Sequence, residues 1–154
     1  MPPSGYFVDT NLLVLYVVGQ EDPEIIAKHG RLEDYSIDDY ILLNALIAKV
    51  GQLFVTPNTL TETCNLLGQH ADPERTRLFQ RLRNIIEMSS EITVTSTSAA
   101  NSETFLKLGL TDAVLCEAVS PEMPVLTVDF SLYLELLGRA GEDRVINFTP
   151  LRNL

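Results

Sequence analysis

Five short apolar runs are spread along this chain, and the segments between them carry apolar residues at helical spacing. The runs are Tyr6-Phe7-Val8, Leu53-Phe54-Val55, Ile92 to Thr95, Val125-Leu126-Thr127-Val128 and Val145-Ile146-Asn147. Most show little alternation of polar and apolar residues, as expected of strands buried on both faces. Strands that alternate with helices build βαβ units and a parallel sheet. This spacing predicts an α/β protein, a three-layer α/β/α fold around a central, mainly parallel sheet.

The helical segments follow from the same reading. Asn11 to Val18 is helical. A polar, acidic stretch from Gly19 to Asp39 follows, with a short helix at Ile25 to His29 that His29-Gly30 ends. Tyr40 to Val50 is the next helix. Pro57, a residue favoured in a helix's first turn, opens another that runs to Leu67. Asp72-Pro73 marks a turn within His70 to Glu74, and Arg75 to Met88 is amphipathic, with Leu78, Leu82, Ile85 and Ile86 on one side. Helices are expected at Ser102 to Leu108 and Thr111 to Val119. A last one at Phe130 to Leu137 is ended by Gly138 and Gly141.

No repeat, linker or low-complexity segment interrupts the pattern, and 154 residues with 45 % hydrophobic content suit one domain spanning 1–154 with a proper core. The two cysteines, Cys64 and Cys116, sit among apolar residues at helical spacing and are too few for a disulfide framework; they read as reduced, buried thiols. Leu12 to Val18 is far too short to cross a bilayer, and Met1 to Gly5 lacks the basic start of a signal peptide. The expectation is a soluble cytoplasmic protein with no membrane partner.

In parallel sheets the functional crevice lies at the carboxyl ends of the strands. Asp9 directly follows the first strand, and Asp129 directly follows the fourth. Glu62 lies in the first turns of the helix after the second strand. There it shares a face with Asn58, Asn65 and Gln69, opposite the apolar Leu60, Cys64 and Leu67. Asp112 opens the helix beginning at Thr111. Singly, each has a plain structural role. Asp9 and Asp129 serve as helix N-caps, Asp112 favours the positive end of its helix, and Glu62 is a solvated surface residue. Together they are four acids expected on one rim. Clustered like charges repel and raise one another's pKa values, and cations stabilise such a cluster.

This pattern resembles the PIN domain family, which includes nuclease toxins of bacterial toxin–antitoxin pairs. The resemblance rests on Phe7-Val8-Asp9-Thr10-Asn11, Glu62 after the second strand, Leu110-Thr111-Asp112-Ala113, Val125-Leu126-Thr127-Val128-Asp129, and the closing Val145-Ile146-Asn147-Phe148. It covers essentially the whole chain. It implies a five-stranded parallel sheet with strands one and four as neighbours. It further implies a metal-dependent endoribonuclease in which Asp9, Glu62, Asp112 and Asp129 bind Mg2+ or Mn2+ and carry catalysis on RNA. Thr10, Asn11 and Thr127 would hold those carboxylates in place. A homodimer and, for toxin members, a basic antitoxin chain are the implied partners. The alternative is a PIN-like binding or scaffold module without activity. The stretch between Asp9 and Glu62, with Glu33, Asp34, Asp38 and Asp39, is longer and more acidic than in the family's small toxins.

The chemistry agrees with what the chain lacks. Hard divalent ions held by carboxylates stabilise the charge that develops in phosphodiester hydrolysis, so no side-chain nucleophile is required. The only histidines, His29 and His70, form no evident Ser or Cys catalytic arrangement. A dehalogenase-type phosphatase would place a second Asp at position 11, which is Asn. A response-regulator receiver would place a Lys after the last strand, and residues 145–154 have none.

The net charge of -10 opposes non-specific nucleic-acid binding, which depends on Lys and Arg. Two divalent ions would offset roughly four of those charges, and the remainder favours a solubilising surface or a basic partner. Arg75, Arg77, Arg81 and Arg83 concentrate positive charge in one helix, read either as an edge that guides RNA or as a solvated face paired with acids such as Glu74.

Overall fold

The computed structural model describes residues 2–153. Its centre is a five-stranded sheet built from β1 (Tyr6–Val8), β2 (Leu53–Val55), β3 (Ser90–Glu91), β4 (Val125–Thr127) and β5 (Val145–Asn147). The strand order is β3-β2-β1-β4-β5 and every pairing is parallel. The expected α/β class and parallel sheet are therefore present, with strands one and four side by side.

Alternation along each strand separates two cores. Val8 and Leu126, paired in register, face a cluster formed with α1 (Thr10–Glu21), α2 (Ile37–Val50), α3 (Pro57–Leu67) and α4 (Glu74–Met88). Phe7 and Val125 face the opposite cluster, which includes Leu115, Leu132 and Leu136 from α7 (Leu110–Ala118) and α8 (Phe130–Ala140). A third, smaller cluster joins Ala99 of α5 (Ser96–Ala100) to Ala113 and Val114; α6 (Glu103–Leu108) contributes Phe105 at its edge.

Helix α1 is buried over most of its middle turns. Leu12, Leu13, Val14, Leu15, Val17 and Val18 are all fully covered, so it is apolar all round rather than amphipathic. Its Gly19 admits the ring of Tyr40: a Cβ at that position would lie 2.1 Å from the ring.

Several boundaries differ from the sequence expectation, each for a local reason. Strand three forms at Ser90–Glu91 rather than Ile92 to Thr95. Pairing follows β2, whose last residue Val55 lies opposite Glu91, and the ladder ends with the Ile92 N–H bonded to the Val55 carbonyl at 2.9 Å. Ile92 and Val94 still pack against the core, which explains their apolar character. Helix α8 runs through Gly138 to Ala140 and stops before Gly141, whose φ of 95° ordinary side chains resist. Helix α2 starts at Ile37 rather than Tyr40, because Ser36 and Asp39 form a reciprocal capping box. The acidic stretch before it is not a solvated loop. Tight 3-10 turns at Pro23–Lys28 and Gly30–Leu32 bury Ile25, Ile26 and Leu32 against α1. His29 links the two turns, closing the first and accepting the Arg31 N–H at Nδ1 to start the second. Cys64 and Cys116 are unpaired, Cys116 buried and Cys64 half-buried. Among the described residues no helix is long and apolar enough to cross a membrane.

Candidate active site

Strand order reverses at β1, with β2 on one side and β4 on the other, which makes the carboxyl ends of β1 and β4 the switch point of the sheet. An open cleft of about 410 Å³ lies there. Asp9, Glu62, Asp112 and Asp129 all line it, together with Thr10, Asn11, Arg31, Asn65 and Leu66. Four acids spread over 120 positions of sequence are thus brought to one wall by the strand order and by the starts of α1, α3, α7 and α8.

Asp9 is the buried member, only 7 % exposed. It caps α1, accepting the Leu12 N–H at Oδ1 (2.9 Å). Its other oxygen reaches across to β4, accepting the Thr127 hydroxyl (2.6 Å) and the Val128 N–H (2.8 Å). Burial raises its pKa. The bonds from Thr127, Leu12 and Val128 oppose that rise, and the charge of Asp129 adds to it.

Asp129 caps α8, with Oδ1 accepting the N–H groups of Ser131 and Leu132. Thr127, fully buried at the end of β4, joins the two aspartates by donating to Asp9 and accepting the Asp129 N–H (2.9 Å).

Glu62 is held from two directions. Thr10 of α1 donates to Oε1 at 2.9 Å, and Thr111 of α7 donates to Oε2 at 2.6 Å. Thr111 was not singled out in the sequence beyond opening a helix. Its hydroxyl, one position before Asp112, was the available signal.

Asp112 differs from the other three. It sits in the first turn of α7, whose start has no side-chain cap and follows Gly109 at φ 90°. Among the described residues no donor bonds its carboxylate. Burial, and then the charges of Asp129, Asp9 and Glu62, push its pKa up to about 7. The first-turn location that should favour an anion is outweighed.

The basic residues are placed unevenly around this charge. Arg31 lines the cleft, donating from Nε to Asn11 Oδ1 at 3.2 Å. It came from the acidic stretch and was not anticipated. The arginines of α4 lie elsewhere. Arg77 and Arg81 bind Glu21, at 3.0 and 3.4 Å, and Arg75 stacks on Phe79 with its guanidinium 4.3 Å from the ring centre. Arg83 is exposed, and none of the four lines the cleft. Glu21 ends α1, so Arg77 and Arg81 sit a helix length of about 18 Å from Asp9.

The donor set suits a hard cation. It is made of carboxylate and amide oxygens and hydroxyls, with no thiolate or imidazole among the lining residues. Asp112 and the Oδ2 atom of Asp129 are not used by hydrogen bonds among the described residues, whereas both oxygens of Asp9 and of Glu62 are. Among the described residues no three acidic, histidine or cysteine side chains form a ready-made ligand cage. An ion of the Mg2+ type does not need one, since it keeps several waters and takes one or two carboxylates directly.

No family model matches the chain, and neither a curated protein nor a solved structure matches it.

Proposed function

We propose that this chain is a PIN-type, metal-dependent endoribonuclease that hydrolyses RNA phosphodiester bonds in the cleft between β1 and β4. The observation that carries the reading is the convergence of Asp9, Glu62, Asp112 and Asp129 on one open cleft with too little positive charge to neutralise them. A Mg2+ or Mn2+ ion, when bound, supplies the positive charge that stabilises the attacking and leaving oxygens of the phosphodiester.

The protein's own part is positional. The Leu12 and Val128 amides and the Thr127 hydroxyl fix the Asp9 carboxylate. The hydroxyls of Thr10 and Thr111 fix Glu62 between α1 and α7. Asp112 and the second oxygen of Asp129 remain to ligate the ion. Groups held in this way need no reorganisation when substrate arrives, which is where such sites gain their rate.

The test is cleavage of a fluorescent RNA oligonucleotide by chelator-stripped protein resupplied with Mg2+ or Mn2+. Cleavage should require the ion and disappear in Asp112→Asn and Asp129→Asn. Ion-independent cleavage, or full activity in either variant, would overturn the assignment.

The same reading extends to setting and partners: a cytoplasmic toxin-type nuclease that forms a homodimer and is restrained by a basic antitoxin chain. The support is the net charge of -10 and a cleft rich in acids, which steer a cationic segment toward Asp9 and Asp129. An arginine placed there would exclude the ion and the RNA without any change of fold. Light scattering tests the dimer, and suppression of cleavage by a co-purified basic chain tests the restraint.

A further inference from the structure

An acidic cleft repels the substrate that the nuclease reading assigns to it, so some cation near the acids must hold the RNA backbone. Resting on that reading, we propose that Arg31 binds the phosphate next to the one cut, and that the strand leaves the acidic cleft past Arg31 into a neighbouring cavity.

Three observations lead there. Arg31 lines the cleft and is exposed. Its Nε–H is spent on Asn11, the second residue of α1, which anchors the guanidinium at the cleft wall while leaving both terminal nitrogens. Among the described residues it forms no ion pair. Other arginines are engaged or lie elsewhere: Arg77 and Arg81 bind Glu21, Arg152 binds both oxygens of Asp39 and the Asp34 carbonyl, Arg75 stacks on Phe79, and the exposed Arg83 lines neither space.

The neighbouring cavity, about 540 Å³, shares Asn11 and Arg31 with the cleft as a common wall. It continues over Tyr35 and Val128, the residue whose N–H holds Asp9; its rim also carries Glu33 and Asp34, so Arg31 stands as the cation between two acidic surfaces. The two spaces therefore adjoin at Asn11 and Arg31, and a strand leaving the cleft on this side passes the guanidinium. A guanidinium offering two parallel N–H donors matches the oxygens of a phosphate and binds it without entering the reaction.

The experiment measures cleavage and binding of a fluorescein-labelled single-stranded RNA oligonucleotide across a salt series with Mn2+. It compares wild type, Arg31→Gln, Arg31→Lys and the Arg77→Gln/Arg81→Gln double variant. Arg31→Gln should raise KM about tenfold with kcat little changed. It should also flatten the slope of log affinity against log salt by about 0.7, the loss of one phosphate contact. Arg31→Lys should restore the salt slope, because the charge returns, but only part of KM, because an ammonium lacks the two-donor fork. An unchanged KM and slope in Arg31→Gln, a lysine variant with a salt slope as flat as that of the glutamine one, or a loss confined to the double variant each overturns the proposal while the nuclease reading stands. A wild type that cuts no RNA with any divalent ion overturns both.

Discussion

Replacing Asp112 by Asn should make the metal-free protein more stable, an outcome opposite to that of most substitutions at a half-buried position. The carboxylate has no donor, is partly desolvated and faces three other acids, which lifts its pKa from 3.8 to about 7. For such a group the folded state binds the proton more tightly than the unfolded one. Its contribution is therefore favourable at low pH and is lost as pH rises toward and through 7. A rise of about three units corresponds to about 4 kcal/mol in full, and screening by the solvent that reaches this cleft reduces it to about 1–2 kcal/mol. Asn keeps the shape and removes the charge. For a chain of this size that is a gain of about 3–8 °C in Tm, measured by thermal denaturation in EDTA at pH 8. At pH 5.5, midway between the unfolded and folded pKa values, about half of the gain should remain, and it should nearly vanish only below about pH 4, where Asp112 is protonated in both states. Saturating Mn2+ should reverse the order, since an ion that binds only the folded wild type adds about 2.7 kcal/mol at a hundred times its Kd. Equal or lower stability of Asp112→Asn at pH 8 in chelator would refute the argument that unpaired negative charge is crowded here.

Asp9→Asn should instead cost about 1–3 kcal/mol in chelator, because three donors point at its two oxygens and an amide leaves at least one unmet; a denaturant midpoint at or above wild type would contradict this. Thr127→Val should cost about 1.5–3 kcal/mol, since its fully buried hydroxyl serves both Asp9 and the Asp129 N–H, and unchanged stability would show that these bonds do not matter. Gly19→Ala should destabilise by at least about 1–3 kcal/mol through collision with the Tyr40 ring, and a neutral result by calorimetry would mean that α1 and α2 separate easily. His29, buried beside His70 with its pKa lowered to about 4, is uncharged in the folded chain; stability measured in the Asp112→Asn background should be complete above about pH 6.5 and fall as pH drops toward 4, and a flat profile would place the ring in solvent.

How far the sequence could be read depended on how local the determinants were. Helix α3 was read with both ends correct because Pro57 and the residues around Gly68 mark them within a few positions. The runs at Tyr6–Val8, Leu53–Val55 and Val145–Asn147 were read as strands because each is short, apolar and bounded. Strand three was misplaced because its position is set by where β2 ends, at Val55, and not by its own residues. Helix α5 was missed because Ser96 to Ala100 are small residues in barely more than one turn, too short to show a period. At the cleft, Asp9, Asp112 and Asp129 are visible because each stands next to a strand or at a helix start, and Glu62 because it lies on the polar face of the helix that follows β2. Arg31 was not, since its place depends on how Gly19 to Asp39 folds back over α1, and the buried Ile25, Ile26 and Leu32 that secure this are spaced as 3-10 turns. Thr111 became notable only once Glu62 was seen to lie across from it.

The division of hydrogen bonds among the four acids is not that of a set of helix caps. If capping were their whole role, each carboxylate would be filled by amides of its own helix. That holds for one oxygen of Asp9 and one of Asp129. Glu62, however, is bonded by hydroxyls from two other helices, an arrangement that serves no helix end. Among the described residues Asp112 receives no donor, although Ser, Thr or Asn in the first turn of α7 would remove its repulsion with the other three. A structural role accounts for Asp9 and Asp129 and, through hydroxyl bonds that tie α3 to α1 and α7, for Glu62. It leaves Asp112 as a cost without return, and the proposed divalent ion would account for it, because such an ion takes one or two open carboxylate oxygens directly. At neutral pH, where Asp112 bears its charge, the proposed ion would restore the stability lost there by binding the folded chain alone.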